Sequence, residues 1–169
     1  MADPFHNNPD IWISSFWGFD PETWGCVGFT DESRRDTVKG LTGEPFLMVI
    51  YVTQGAPNVP GLNGKVAGFY EVTHEYILRD DAIAPHQINN PRHPPHRWKY
   101  CFVPSRAWRI KEAHMPTIQS FDPSIYAEKR YRAVSRWGCK LNKQPVQRLK
   151  KLWNDDHIDE VRVYPKKKI

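Results

Sequence analysis

At 169 residues and 19.8 kDa the chain has the length of one domain, enough to bury a core of its own. Fifteen prolines and a mean hydropathy of -0.66 describe a loop-rich soluble protein, and no apolar run approaches the ~18–20 residues that span a bilayer. The net charge of +5 is modest, but it is segregated along the chain in a way that points to a polyanionic partner.

The first predicted element is a strand over 11–16, whose residues alternate. Residues 20–28 read as a turn-rich connection. A helix is expected next, with Thr30 as the cap, Asp31 and Glu32 in the first turn where the helix dipole favours acids, and a stop near Gly40 or Gly43. The run 46–53, FLMVIYVT, is too short for a buried helix and fits a central strand. After a Gly/Pro/Asn loop over 54–63, residues 64–73 return as a second strand, with Gly68 marking a bulge or a close backbone approach; 75–78 extend the pairing. The Pro/His/Asn stretch 80–95 reads as a long loop, too irregular to be core. Further strands are expected at 98–103 and 107–110, short helices at 123–132 and 145–154, and a last strand at 161–164. Residues 1–9 and 165–169 are expected to be flexible termini of a single domain covering 1–169.

The densest chemistry lies in 11–35, IWISSFWGFDPETWGCVGFTDESRR. Trp12, Trp17 and Trp24 fall within thirteen residues of one another, interleaved with Ser14, Ser15 and Phe16. Aromatic faces beside short polar groups and bare backbone suit a flat heterocycle: the faces stack and the polar groups read its edge. Residues 1–32 hold six acids and no Lys or Arg, whereas 129–151 hold nine bases and no acid, with Tyr131 and Trp137 among them. Cations interleaved with aromatics suit a nucleic acid whose bases are accessible. Cys26, Cys101 and Cys139 are odd in number and contain no CxxC pair, so neither a zinc ribbon nor a disulfide framework is indicated. The seven histidines show no HExxH or HxH spacing, and neither a metal nor another cofactor is expected. The first ten residues lack a basic region followed by an apolar stretch, so an intracellular location is expected.

The order of strand, Trp-containing turn, short helix, apolar strand, Gly-Lys-Val-x-Gly strand and Trp-x-Tyr strand resembles the PUA-like superfamily, above all its EVE and YTH branches. Trp12-Ile13-Ser14-Ser15, Trp24-Gly25, the run 46–52 and the stretch 64–72 carry the likeness, which covers about residues 10–110. The resemblance implies an α+β fold, a partly open β-barrel flanked by short helices. It also implies a non-enzymatic nucleic-acid binder that captures one base, expected to be modified (methylated, for example), in an aromatic cage. The pocket would draw on Ser14, Ser15, Phe16, Trp17, Trp24, the Gly25 backbone and Trp98. Ser33, Arg34, Arg35, Arg130, Arg132, Arg136 and Lys140 would hold phosphates. YTH relatives take a second cage aromatic from the loop before the third strand; here that loop has no Trp, only His86, His93 and His96, and Trp98 lies just beyond it. Two other readings remain. One is a metal-independent ribonuclease similar to the ASCH relatives, working through Lys65, Tyr70, His74 and Glu75. The other is a module for a protein or small ligand. DNA or RNA is the expected partner, a membrane is not, and a separately encoded partner enzyme is compatible with a free-standing domain.

Overall fold

The computed structural model describes residues 2–53, 61–91, 97–127, 134 and 138–166. Seven strands form one mixed sheet: β1 (Ile11–Phe16), β2 (Val27–Phe29), β3 (Phe46–Val52), β4 (Val66–Leu78), β5 (Tyr100–Ile110), β6 (Cys139–Lys140) and β7 (Ile158–Val161). Their order is β2-β5-β4-β3-β1-β6, with β7 also paired to β5. β1 and β3 run parallel and in register from Ile11↔Leu47 to Phe16↔Val52. A parallel pair needs a crossover, and here it contains β2 and helix α1 (Glu32–Leu41). The remaining pairings are antiparallel. The class is therefore α+β, and the sheet is not closed into a barrel.

Both faces of the sheet are covered, which is why β3 is apolar at every position and buried throughout. On one face Ile13, Leu47, Val49, Phe69, Trp108 and Ile110 pack with Ile118 and Leu149, which come from helices that follow β5. Those helices are short: Ile118–Phe121, Pro123–Ala127 and the longer Lys143–Asn154. Phe5 joins this core, its ring 6.0 Å from Phe69 and 6.4 Å from Trp153. On the other face Trp12, Phe46, Met48, Ile50, Tyr70 and Phe102 meet Phe19, Val27, Phe29 and Val38 of α1. A third, smaller cluster holds Cys26, Ala82, Ile83 and Cys101.

β4 and β5 are the long pair, and their register shifts at Glu71/Val72 and between Val72 and Tyr76. Pro104 lies opposite Val72 at this irregularity, where a missing N–H costs a strand least. Beyond the shift, Tyr100–Phe102 of β5 carry β2, while 107–110 carry β7. One strand thus holds the two halves of the molecule on the same edge.

Several sequence expectations are corrected. Asp31, not Thr30, occupies the N-cap of α1, and its side chain makes no capping bond to the first amides of the helix. The expected strands at 98–103 and 107–110 are one strand beginning at Tyr100. The last strand is Ile158–Val161, a few residues earlier than the apolar run at 161–164 suggested. The stretch 80–91 is not loose: it contains a 3-10 turn and a short helix, Pro85–Ile88, and Ala82 and Ile83 are fully buried.

Candidate functional site

The chain leaves β1 at Phe16 and enters a loop that is pinned along its whole length. Phe19 lies on Gly68, where a Cβ would sit 2.5 Å from the Phe19 ring; Gly68 is the close approach that its place in a strand predicted. Asp20-Pro21 starts a turn in which the Thr23 and Trp24 amides donate to the Asp20 carbonyl at 3.2 and 2.9 Å. The Gly25 amide donates to the Ala82 carbonyl and the Ala84 amide to the Thr23 carbonyl, both at 2.8 Å. From the far end of the chain, the Tyr164 amide donates to the Pro21 carbonyl at 2.8 Å, and the Tyr164 carbonyl fills the space a Gly25 side chain would need. Glu22 forms a two-pronged bond with Arg109 at 2.6 and 2.7 Å. This bond holds the Glu22 carboxyl at about 2.

Trp98 comes from the turn before β5. Its φ is 52°, in the left-handed region that a bulky side chain rarely adopts. Three contacts impose it. Gly28 of β2 lies so close that a Cβ there would be 2.5 Å from the Trp98 Cβ. The Cys101 thiol, kept protonated because burial pushes its pKa well up, donates to the Trp98 carbonyl at 3.1 Å. Arg79 is buried; its amide donates to the Lys99 carbonyl at 3.1 Å and its guanidinium to the Arg97 carbonyl at 2.9 Å.

Between these two segments lies a cavity of about 360 Å³, in the range of small-molecule pockets. Phe16, Trp17, Trp24, Trp98, Phe19 and Tyr70 supply its aromatic wall. Trp98 meets Trp17 edge-on (5.3 Å between ring centres, 88°) and Trp24 edge-on (6.1 Å, 89°), with Phe16 at 5.7 Å. The polar edge is a one-way chain. Asn90 donates to Gln87 at 3.2 Å, Gln87 to Thr23 at 3.2 Å, and Thr23 to Asp20 at 2.6 Å. It ends on a carboxylate at the mouth, an acceptor for a ligand's N–H. The Tyr70 hydroxyl faces the Trp24 carbonyl at 3.4 Å, and burial raises its pKa well above the ordinary tyrosine value, so it stays neutral. Arg97 covers the Trp17 face, its guanidinium carbon 4.4 Å from the ring centre.

Of the expected pocket residues, Phe16, Trp17, Trp24 and Trp98 line this one cavity. Ser14 and Ser15 do not. Both are buried within β1, and the Ser14 hydroxyl donates to the Val134 carbonyl at 3.4 Å. Gly25 does not offer its amide, which is spent on Ala82. Among the expected phosphate contacts, Arg35 is turned inward, 4% exposed, bonded to Glu32 at 3.2 Å and laid on the Tyr76 ring. Arg34 pairs with Asp31 at 3.0 Å, Ser33 is exposed, and Lys140 lies 3.6 Å from Asp10. Arg130, Arg132 and Arg136 lie outside the described residues, as do Tyr131, Trp137, His93 and His96. The residues of the ribonuclease reading are not gathered. His74 bonds Thr42, Glu75 pairs with Lys166, Tyr70 lines the cavity, and Lys65 bridges to Thr117. Among the described residues no group of three His, Cys, Asp or Glu side chains is placed to hold a metal. Sequence reasoning missed Asp20, Thr23, Gln87 and Asn90; only the Asp-Pro-x-Thr turn signal marked the first two.

In comparisons with known proteins, no family model, no curated protein and no solved structure matches the chain.

Proposed function

We propose that this protein is a non-enzymatic nucleic-acid-binding domain that captures one base, modified by methylation or a similar small group, in the pocket between Trp17, Trp24 and Trp98. We read the fold as a PUA-like variant of the EVE and YTH kind. The observation that carries the reading is the arrangement of the three indoles: Trp98 stands edge-on to both others around a cavity of about 360 Å³. A flat ring entering it finds π faces, and its edge finds the Asp20 carboxylate and the amide and hydroxyl groups behind it. A base with an exocyclic amino group fits that acceptor. Within a duplex the base would first be flipped out, a cost of a few kcal/mol recovered by stacking and edge contacts.

The test is tryptophan fluorescence titrated with short single- and double-stranded DNA and RNA, carrying plain, methylated or hydroxymethylated bases, at two salt concentrations. Quenching is expected to be strongest for one modified base. Trp24→Ala is expected to weaken binding by ~1–3 kcal/mol, the value of one aromatic stack, with the fold intact by circular dichroism. Salt-sensitive binding without base preference would reject base capture. Binding that ignores salt would move a protein or small ligand to first place, since phosphate contacts impose a steep salt slope.

A further inference from the structure

Six cations, Arg34, Arg35 and Lys39 on helix α1 and Arg79, Arg97 and Lys99 on the segments that flank the Trp98 turn, divide into two sets. Arg34 pairs with Asp31, Arg35 with Glu32 and Asp36, and Arg79 with Asp80. The other three, Arg97, Lys99 and Lys39, pair with no carboxylate among the described residues, and each lies over an aromatic ring. Arg97 covers Trp17 at 4.4 Å and reaches Trp98 at 5.7 Å. The Lys99 ammonium is 5.6 Å from the Tyr100 ring centre, and the Lys39 ammonium is 4.7 Å from that of Tyr76. Arg35 joins the two tyrosines, 3.5 Å from Tyr76 and 5.6 Å from Tyr100. The contacts form two runs of rings and cations, Arg97 with Trp17 and Trp98 at the pocket and Lys99, Tyr100, Arg35, Tyr76 and Lys39 beyond it, which follow one another along the chain at 97–100. The outer end is accessible: Tyr76 is 42% exposed, and Lys39 and Lys99 are exposed. The Tyr76 ring is fixed in place by its hydroxyl, which donates to Asp36 at 2.5 Å.

We propose that this strip, from Arg97 through Lys99 and Tyr100 to Tyr76 and Lys39, is the seat of the single-stranded flank of the nucleic acid whose base enters the pocket. The inference rests on the base-capture reading and adds to it the path of the strand. Cations without carboxylate partners are free to replace phosphate counterions, and interleaved rings offer stacking surface to bases of any sequence. A duplex presents its phosphates but not its base faces, so a single strand is the form that uses both.

The experiment is fluorescence anisotropy with a labelled single strand of about nine nucleotides, a typical site size for single-strand binders. It carries one central 5-methylcytosine or N6-methyladenine and is made both as DNA and as RNA, against a salt series. Three cations predict a log–log salt slope of about -2 from this strip. The double variant Lys39→Gln, Lys99→Gln is expected to flatten the slope by about 1.4. Tyr76→Ala is expected to weaken strand binding roughly tenfold. Neither is expected to change the preference for the modified base or the binding of the free nucleoside. Wild-type slope and affinity in both variants, while Trp24→Ala still loses the base preference, would overturn the strip and leave the pocket standing. Variant effects on the strand without any base preference would uphold the strip and overturn the pocket. No strand binding by the wild-type protein at low salt would overturn both and give the exposed Tyr76 and Leu78 to a protein partner.

Discussion

Replacing Gly28 with alanine tests how the pocket is built. Gly28 pairs with Cys101 in the β2–β5 ladder, and an added Cβ would lie 2.5 Å from the Trp98 Cβ and 2.8 Å from its carbonyl oxygen. Carbon atoms settle at ~3.5–4.0 Å, so the overlap is about 1 Å. The atoms met are main chain and Cβ, not the tip of a flexible side chain, so the whole Trp98 turn has to retreat. Overpacking of this kind costs about 1–3 kcal/mol, a fall in Tm of roughly 2–12 °C for a chain of this size. The same retreat draws the Trp98 ring away from Trp17 and Trp24, and about one aromatic stack, ~1–3 kcal/mol of ligand affinity, goes with it. Thermal melts and the oligonucleotide titration read the two effects separately. An unchanged Tm would refute the claim that Gly28 braces Trp98. A lowered Tm with unchanged base affinity would refute Trp98 as a wall of the pocket.

Two further outcomes are expected. Trp98→Gly should melt higher than Trp98→Ala, by a difference equivalent to about 1–2 kcal/mol, because the left-handed turn at φ 52° suits glycine and not alanine; equal melting temperatures would show that the turn stores no strain. Glu22→Gln should lose about 1 kcal/mol at pH 7, a figure set low because both Glu22 and Arg109 are about one-third exposed. The Glu22 carboxyl is depressed from 4.5 to about 2 by its bond to Arg109, so the pair's stabilisation is complete above about pH 4.5 and fades as pH falls towards 2. Denaturant melts of wild type and variant should therefore converge across that window, and a gap that persists at pH 2 would contradict the linkage.

The strands whose signal is local were legible in the chain. Phe46–Val52 is apolar at every position because both its faces are buried. β2 was missed because three residues containing a glycine carry no periodicity; its position is fixed by pairing with Cys101 and Phe102, seventy-odd residues away. Ile83 was hidden in a Pro/His/Asn stretch; its bridge to Trp24 and its packing with Cys26 and Cys101 make it core. The density of tryptophan in 12–24 marked two walls of the pocket, Trp17 and Trp24, while the third ring of that cluster, Trp12, is core. The polar half was not legible: Gln87, with Asn90 behind it, reaches Thr23 only because the 82–84 segment pairs with the Trp24 loop. Arg35 illustrates the opposite failure. Beside Arg34 it reads as one of two surface arginines, yet helix geometry turns it inward onto Tyr76.

The bond between Tyr164 and Pro21 has a consequence for biosynthesis. A ribosome releases the loop with Trp17 and Trp24 early, but the carbonyl and amide of Tyr164 that brace it emerge more than a hundred residues later. Until then β5 also lacks its β7 neighbour and presents a bare edge. Three indoles and an unpaired strand are thus exposed together on the nascent chain, a combination that invites chaperones and aggregation. The Trp17–Trp24 loop is fully braced only after the Tyr164 segment has been made and has crossed back to Pro21, so the length of chain synthesised acts as a timer on the pocket.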